Sequence, residues 1–445
     1  MTGTDAIAES NQGSFLEVCL FLLISLFTAE KKRFVRICLF LFIALCPIDD
    51  FILQGTPLRS LGMSLSIFPL CFLAFIEGGH WLLAAKPRIN PGVVIGSLYV
   101  LVTAVYGLAI FGFSSHGENL LWKGTTSLIS LLAIIFAASM NYESSVVRTA
   151  VFAAFGLTFL GYMFGNSNPL GLPALAENGL LHFTPLVDPR PRGLTSEPAQ
   201  LSITVIIIGL LSVHLAQSRG WKILLFLVTL GLLIASGSKG GVLTLFVCTI
   251  ILSTMKWHSR WYQVAALLFV LLPMGLVLIW LIPSLFPEES FAISGTVPTR
   301  VSMILCALMT VVHHPFGVGL PGFLPAVAKY LPDAMSTVES FFPFPLNFSE
   351  VSGYLTSADT VSTKTFFFDQ LMRFGIPFAF VFVIFIINLL KWLNAEKQTV
   401  LLIATLSTTI AITTYIPGTG NFAVPILFGI ALSEARNGSN SLRCE

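Results

Sequence analysis

The sequence predicts an all-α fold, a polytopic integral membrane helical bundle of about 12 to 13 transmembrane helices with a large extracytoplasmic loop. Three observations lead there. Of 445 residues, 55% are hydrophobic and 10% charged, against roughly a quarter charged in a soluble domain. Mean hydropathy is +0.86. Apolar runs near the ~20 residues needed to cross a bilayer core recur along the whole chain. The 24 Lys and Arg against 22 Asp and Glu leave a net charge of +2, so no basic surface of the size that nucleic acid needs is expected. Seven cysteines are scattered, and Cys19, Cys38, Cys46, Cys71 and Cys248 sit inside apolar runs. With no CxxC pair and no His/Cys cluster, neither a disulfide framework nor a metal or other cofactor is expected.

In chain order the expected spans are 15–29, 34–48, 61–76, 93–113, 121–140, 149–164, 200–216, 223–236, 241–255, 263–286, 376–390, 399–414 and 421–433. No Lys or Arg precedes Lys31, so the first span lacks the charged start of a secretory signal and reads as an uncleaved, outward-starting anchor. Cations then mark every second loop. Lys31, Lys32, Arg33 and Arg36 follow the first span, Lys86 and Arg88 precede the fourth, and Arg148 precedes the sixth. Arg219 and Lys222 separate the seventh from the eighth, Lys256 and Arg260 the ninth from the tenth, and Lys391 and Lys397 the eleventh from the twelfth. Arg436 and Arg443 follow the last. Retention of Lys and Arg on the inside makes these loops cytoplasmic.

The whole chain, 1–445, then forms one membrane domain with two long segments, 165–198 and 287–375, on the opposite face. Loops of the second length are usually functional. That loop carries an apolar stretch, 301–312, and an aromatic cluster at Phe341, Phe342 and Phe344. Short helices lying on the bundle's outer surface, or re-entering it, are expected there.

Three places on that face could carry chemistry. Arg190-Pro191-Arg192-Gly193 runs into Ser196-Glu197-Pro198, where Ser is a good N-cap and Pro suits the first helical turn. Two guanidiniums before unpaired helix N–H groups suit an anion such as phosphate. Ser236-Gly237-Ser238-Lys239-Gly240-Gly241 opens another outward-starting helix. It lacks the spacing of a nucleotide-binding P-loop. A Lys costs about 2.5 to 3.5 kcal/mol at mid-membrane, which an anionic partner offsets. The third is His313-His314-Pro315-Phe316-Gly317-Val318-Gly319, with Arg300 upstream, where histidine could act as a base near neutrality. Each place has a plain structural alternative: cations anchor lipid headgroups, glycines make turns, and a His pair before Pro shapes a loop. Asp49 and Asp50, in the first outer loop, resemble the acidic pair that some lipid-phosphate-sugar transferases place there, with helix capping as the favoured reading.

In their order along the chain, Arg192-Gly193 with Glu197-Pro198, the Ser-Lys-Gly-Gly turn, His314 to Gly319, and Phe366 to Gly375 resemble the motifs of the O-antigen polymerase and O-antigen ligase family. The span layout resembles that family over most of the chain. The resemblance implies a metal-independent glycosyltransferase in which an acceptor hydroxyl attacks the anomeric carbon of a sugar chain carried on undecaprenyl pyrophosphate. It implies that Arg190 or Arg192 grips the pyrophosphate, with Lys239 and Arg300 beside it, and that His314 or Glu197 is the base. Lys239 stands where members commonly carry Arg, so a point charge replaces a bidentate fork. The ligase branch has a His about eleven residues before the glycine that opens the next span, and here Lys364-Thr365 occupies that place. This favours the polymerase branch.

The expected activity is therefore polymerisation of undecaprenyl-pyrophosphate-linked repeat units into O-antigen, capsule or exopolysaccharide, on the outer face of a bacterial inner membrane. Membrane lipids, a chain-length regulator and a flippase are the expected partners, and nucleic acid is not. The alternatives are a ligase moving a finished chain to a lipid core or protein, and a lipid-linked oligosaccharide flippase. Against transport, apart from Glu17 and His214 the span interiors are nearly devoid of ionisable residues, whereas coupled transporters place them at mid-membrane.

Overall fold

A computed structural model of the chain describes residues 31–49, 64–83, 91–112, 131–140, 142–164, 191–255, 296–342, 345–356, 363–416 and 421–441. Among the described residues every regular element is a helix and none is a strand. In order these are α1 (31–44), α2 (Ile67–Leu83), α3 (Pro91–Phe111), α4 (131–139), α5 (Ser144–Phe164), α6 (Pro198–Leu215) and α7 (Arg219–Ala235). There follow α8 (Lys239–Met255), α9 (Thr296–His313), α10 (Gly319–Phe341), α11 (Ser349–Thr356), α12 (Phe366–Ala395), α13 (Thr399–Thr414) and α14 (Ala423–Ser441). Among them α5, α6 and α12 are long and apolar enough to cross a membrane, and shorter apolar helices accompany them. The protein is a helical membrane protein. The spans expected at 15–29 and 263–286 lie outside the described residues.

The main core forms around α6. Its residues 200–213 are all buried, and a helix apolar on every face belongs in an interior. It packs against α5, α7, α8, α13 and α14. At Gly209 the Thr229 side chain of α7 fills the space a β-carbon would take. Asn421, before α14, donates from Nδ2 to Gln200 Oε1 at 2.9 Å and to Thr204 Oγ1 at 3.1 Å. Glu197 is the N-cap with an extended φ of −143°, since a residue before proline is pushed out of the helical region. This moves the cap one position from the expected Ser196. At the opposite end of the bundle, Arg36 Nη2 pairs with Glu143 Oε1 at 2.7 Å and brings the starts of α1 and α5 together.

A second core belongs to α9, α10, α11 and the first turns of α12, built on Met303, Cys306, Phe323, Val327, Leu331, Val351 and Met372. Helices α9 and α10 have 18 and 23 residues, longer than expected. They form a hairpin whose tip, Pro315–Gly319, reaches the Tyr99 level of α3. Close approach requires glycine at this contact: β-carbons at Gly107, Gly319 and Gly322 would meet the facing backbone or Val318. Helix α12 breaks at Gly375, where φ is +64° and ψ −159°, a conformation open essentially to glycine alone. Across the break, Ile376 N–H donates to Pro315 O at 2.8 Å and Met372 O accepts from Val318 N–H at 2.9 Å. Tyr99 Oη lies 2.7 Å from Phe374 O and 2.9 Å from Phe316 O. The non-helical backbone is thus satisfied by protein, the condition under which such backbone is tolerated at membrane depth.

Candidate functional site

The site is built on the 191–197 segment entering α6. Gly193 takes φ +58°, which turns the chain so that Leu194 packs on α5 where Gly161 leaves room. Thr195 Oγ1 lies 2.7 Å from Arg192 O and 2.9 Å from Glu197 O. Asp49, one of the residues expected to cap a helix, instead accepts the Ser196 N–H at Oδ1 at 2.5 Å. Its own N–H donates to Leu194 O at 3.3 Å. The segment is thereby locked with Arg192 buried at 4% exposure and Glu197 exposed at the bundle's edge.

Three further elements end beside it. The α7–α8 turn is tied to α6 by Ser238 Oγ donating to Ser202 Oγ at 3.1 Å, and α8 begins at Lys239. Gly240 and Gly241 serve packing: a β-carbon at Gly240 would touch the Tyr415 ring, and one at Gly241 would meet Leu233 and Ser202. The α13 end joins the α12 start through Phe366 N–H to Ile416 O at 2.7 Å. Arg300, in the first turns of α9, lies close enough for its charge to act on Tyr415.

Lys364 closes the same edge. It adopts φ +60°, its Nζ pairs with Glu350 Oε1 at 3.0 Å, and Tyr354 Oη donates to the same oxygen at 3.2 Å. Burial works against the Lys364 charge, but Tyr354, Glu350 and Glu197 together outweigh it and hold its pKa above the ordinary lysine value. Glu197 and Lys364 are therefore electrostatic neighbours.

The structure thus brings Arg192, Glu197, the Lys239 end of α8 and Arg300 to one end of the bundle. Arg190 lies outside the described residues. His314 is not with them. It follows α9 at the end opposite Arg300, about 20 Å away at about 1.5 Å per helical residue. There Nδ1 is 3.3 Å from Tyr106 Oη and Nε2 is 3.1 Å from Tyr330 Oη, so both ring nitrogens are occupied. Among the described residues no three His, Cys, Asp or Glu side chains come together to hold a metal ion.

Asp49, Glu350, Tyr354 and Tyr415 are the residues at this end that sequence reasoning did not assign to it. Asp49 carried a signal, an acid at the outer end of a span. The other three carried none that separates them from ordinary interfacial residues.

No protein-family model matches the chain. The chain is similar to an uncharacterized 49.5 kDa protein in the cps region of Klebsiella pneumoniae, 24% identical over 342 residues, which cover 75% of this chain and 71% of that protein.

Proposed function

We propose that the protein is a membrane glycosyltransferase that polymerises oligosaccharide repeat units carried on undecaprenyl pyrophosphate, working on the outer face of a bacterial inner membrane. One observation carries the reading: Arg192, Arg300 and the Lys239 start of α8 converge at the end of the bundle that also presents Glu197. Two guanidiniums and a helix N-terminus attract a diphosphate. The cations of the short alternate loops lie toward the opposite end, which supports an extracytoplasmic site. The relative's cps region, a setting for capsule polysaccharide synthesis, supports a role in polysaccharide assembly.

The acceptor hydroxyl attacks the donor's anomeric carbon and forms the new C–O bond. Glu197 takes the hydroxyl proton, and the bond from the anomeric carbon to the diphosphate breaks with its electron pair leaving on the diphosphate oxygen. Arg192 and Arg300 stabilise that charge. A cation about 4 Å from it contributes on the order of 4 kcal/mol at an effective dielectric of 20, before desolvation is subtracted. Glu197 rather than His314 takes the base role, because Glu197 is exposed beside the cations whereas both His314 nitrogens already face tyrosine hydroxyls.

Purified protein in liposomes with a defined lipid-linked repeat unit tests this. Donor chains should lengthen with no gradient imposed. Transfer of one finished chain to a lipid core without lengthening would identify a ligase. Label crossing the bilayer without new glycosidic bonds would identify a flippase.

A further inference from the structure

The α13 end places one polar group at this site that neither the sequence motifs nor the mechanism above employs. Tyr415 is 6% exposed. Its ring lies on Gly240, the second residue of α8, with the ring's Cδ2 and Cε2 3.4 Å from where a β-carbon would be. Its hydroxyl faces Ser202 and Thr244 within reach of the Arg300 charge, yet it makes no hydrogen bond of good geometry among the described residues. The neighbouring hydroxyl protons are already committed, Ser202 to Ala199 O at 2.8 Å and Thr244 to Gly240 O at 2.7 Å. A buried hydroxyl without a partner is costly, and native proteins keep few of them without a reason. Beyond these two hydroxyls, the groups around it are donors or positive: the α8 N-terminus and Arg300. An oxyanion complements all of them together, and a phenol O–H is a neutral donor that adds to the set without adding charge.

We propose that the Tyr415 hydroxyl is a ligand-binding donor, giving a hydrogen bond to a phosphate oxygen of a diphosphate held at the start of α8. The inference rests on the glycosyltransferase reading and deepens it. Tyr415 joins Arg300 and the α8 N-terminus on the leaving group. Ligand entry turns the phenol O–H from Ser202 and Thr244, with which it makes no bond of good geometry, toward the anion.

Binding of radiolabelled undecaprenyl pyrophosphate to the full chain in phosphatidylcholine nanodiscs tests the assignment, together with thermal unfolding of the same samples without ligand. Tyr415→Phe should weaken binding about tenfold or more, the scale of a hydrogen bond to a charged group. The melting temperature of the unliganded protein should stay level or rise. Tyr142→Phe supplies the contrast, because Tyr142 Oη donates to Ala137 O at 2.6 Å: its melting temperature should fall and its affinity should hold. Equal affinity of Tyr415→Phe and the native protein would overturn the assignment alone, as would a lower melting temperature with affinity preserved. Failure of the native protein to bind the probe would overturn the glycosyltransferase reading as well. Inorganic pyrophosphate should compete with the probe. If phosphatidylglycerol in the nanodiscs competes with the probe, and competes less well against the Tyr415→Phe protein, the donor role stands and the ligand is a lipid headgroup phosphate.

Discussion

The carboxylate of Asp49 accepts the backbone N–H of Ser196 at 2.5 Å, and this bond ties the end of the 34–48 segment to the turn that carries Arg192 and Glu197 into α6. Asp49 is buried at 4% exposure. Losing the acceptor strands a half-buried N–H, at a cost of up to about 1–3 kcal/mol. Asp49→Ala should lower chain lengthening by about tenfold or more in the liposome assay. Asp49→Asn, which keeps an oxygen at the same place, should retain activity within about threefold. Equal loss in both variants would mean that the charge, and not the acceptor, matters.

Much of this end of the bundle was legible in the sequence, because helix starts and cations leave local marks. Pro198 after Glu197 gives the start of α6, and 399–414 coincides with α13. Tertiary partners leave no such mark. The bond from Asp49 to Ser196 joins residues 147 positions apart, and its proximity to the end of a span suggested a local cap. Gly317 and Gly319 stand in the sequence only as part of the His314 to Gly319 motif, yet their β-carbons would meet the backbones of α12 and α3. That His314 lies at the far end of α9 from Arg300 follows from helix length, which an apolar stretch of 301–312 inside a long loop did not reveal.

Arg192 and Lys222 lie at opposite ends of the bundle, so their replacement should separate cleanly. Arg192→Ala should abolish long chains on gels of surface polysaccharide, while Lys222→Ala should leave their length unchanged. Arg192→Lys should restore part of the length, since a point charge remains but the bidentate fork is lost. Full-length polymer from a strain depending on Arg192→Ala would remove the diphosphate assignment.

Gly375 is required by its backbone. A side chain at φ +64° and ψ −159° is strained, and its β-carbon would run into Pro315 O and Gly317 N. Gly375→Ala should cost about 3 kcal/mol or more and lower the unfolding temperature measured by intrinsic fluorescence in detergent. Gly231→Ala, in the interior of α7 with nothing within 4 Å of its β-carbon, should be neutral or stabilise by about 0.5–1 kcal/mol. A melting temperature unchanged by Gly375→Ala would contradict the break in α12.

His314 should hold the α9–α10 hairpin through its two tyrosines. Its ring sits between the Tyr106 and Tyr330 hydroxyls, with Nδ1 3.3 Å from the first and Nε2 3.1 Å from the second. Removing the ring leaves both hydroxyls without that partner, in a place where His314 is 8% exposed, and a buried polar group left unpaired costs about 1–3 kcal/mol. His314→Ala should therefore lower the unfolding temperature measured by intrinsic fluorescence in detergent, and His314→Gln, which can still meet one tyrosine, should lower it less. An unchanged unfolding temperature in His314→Ala would show that neither tyrosine contact supports the hairpin.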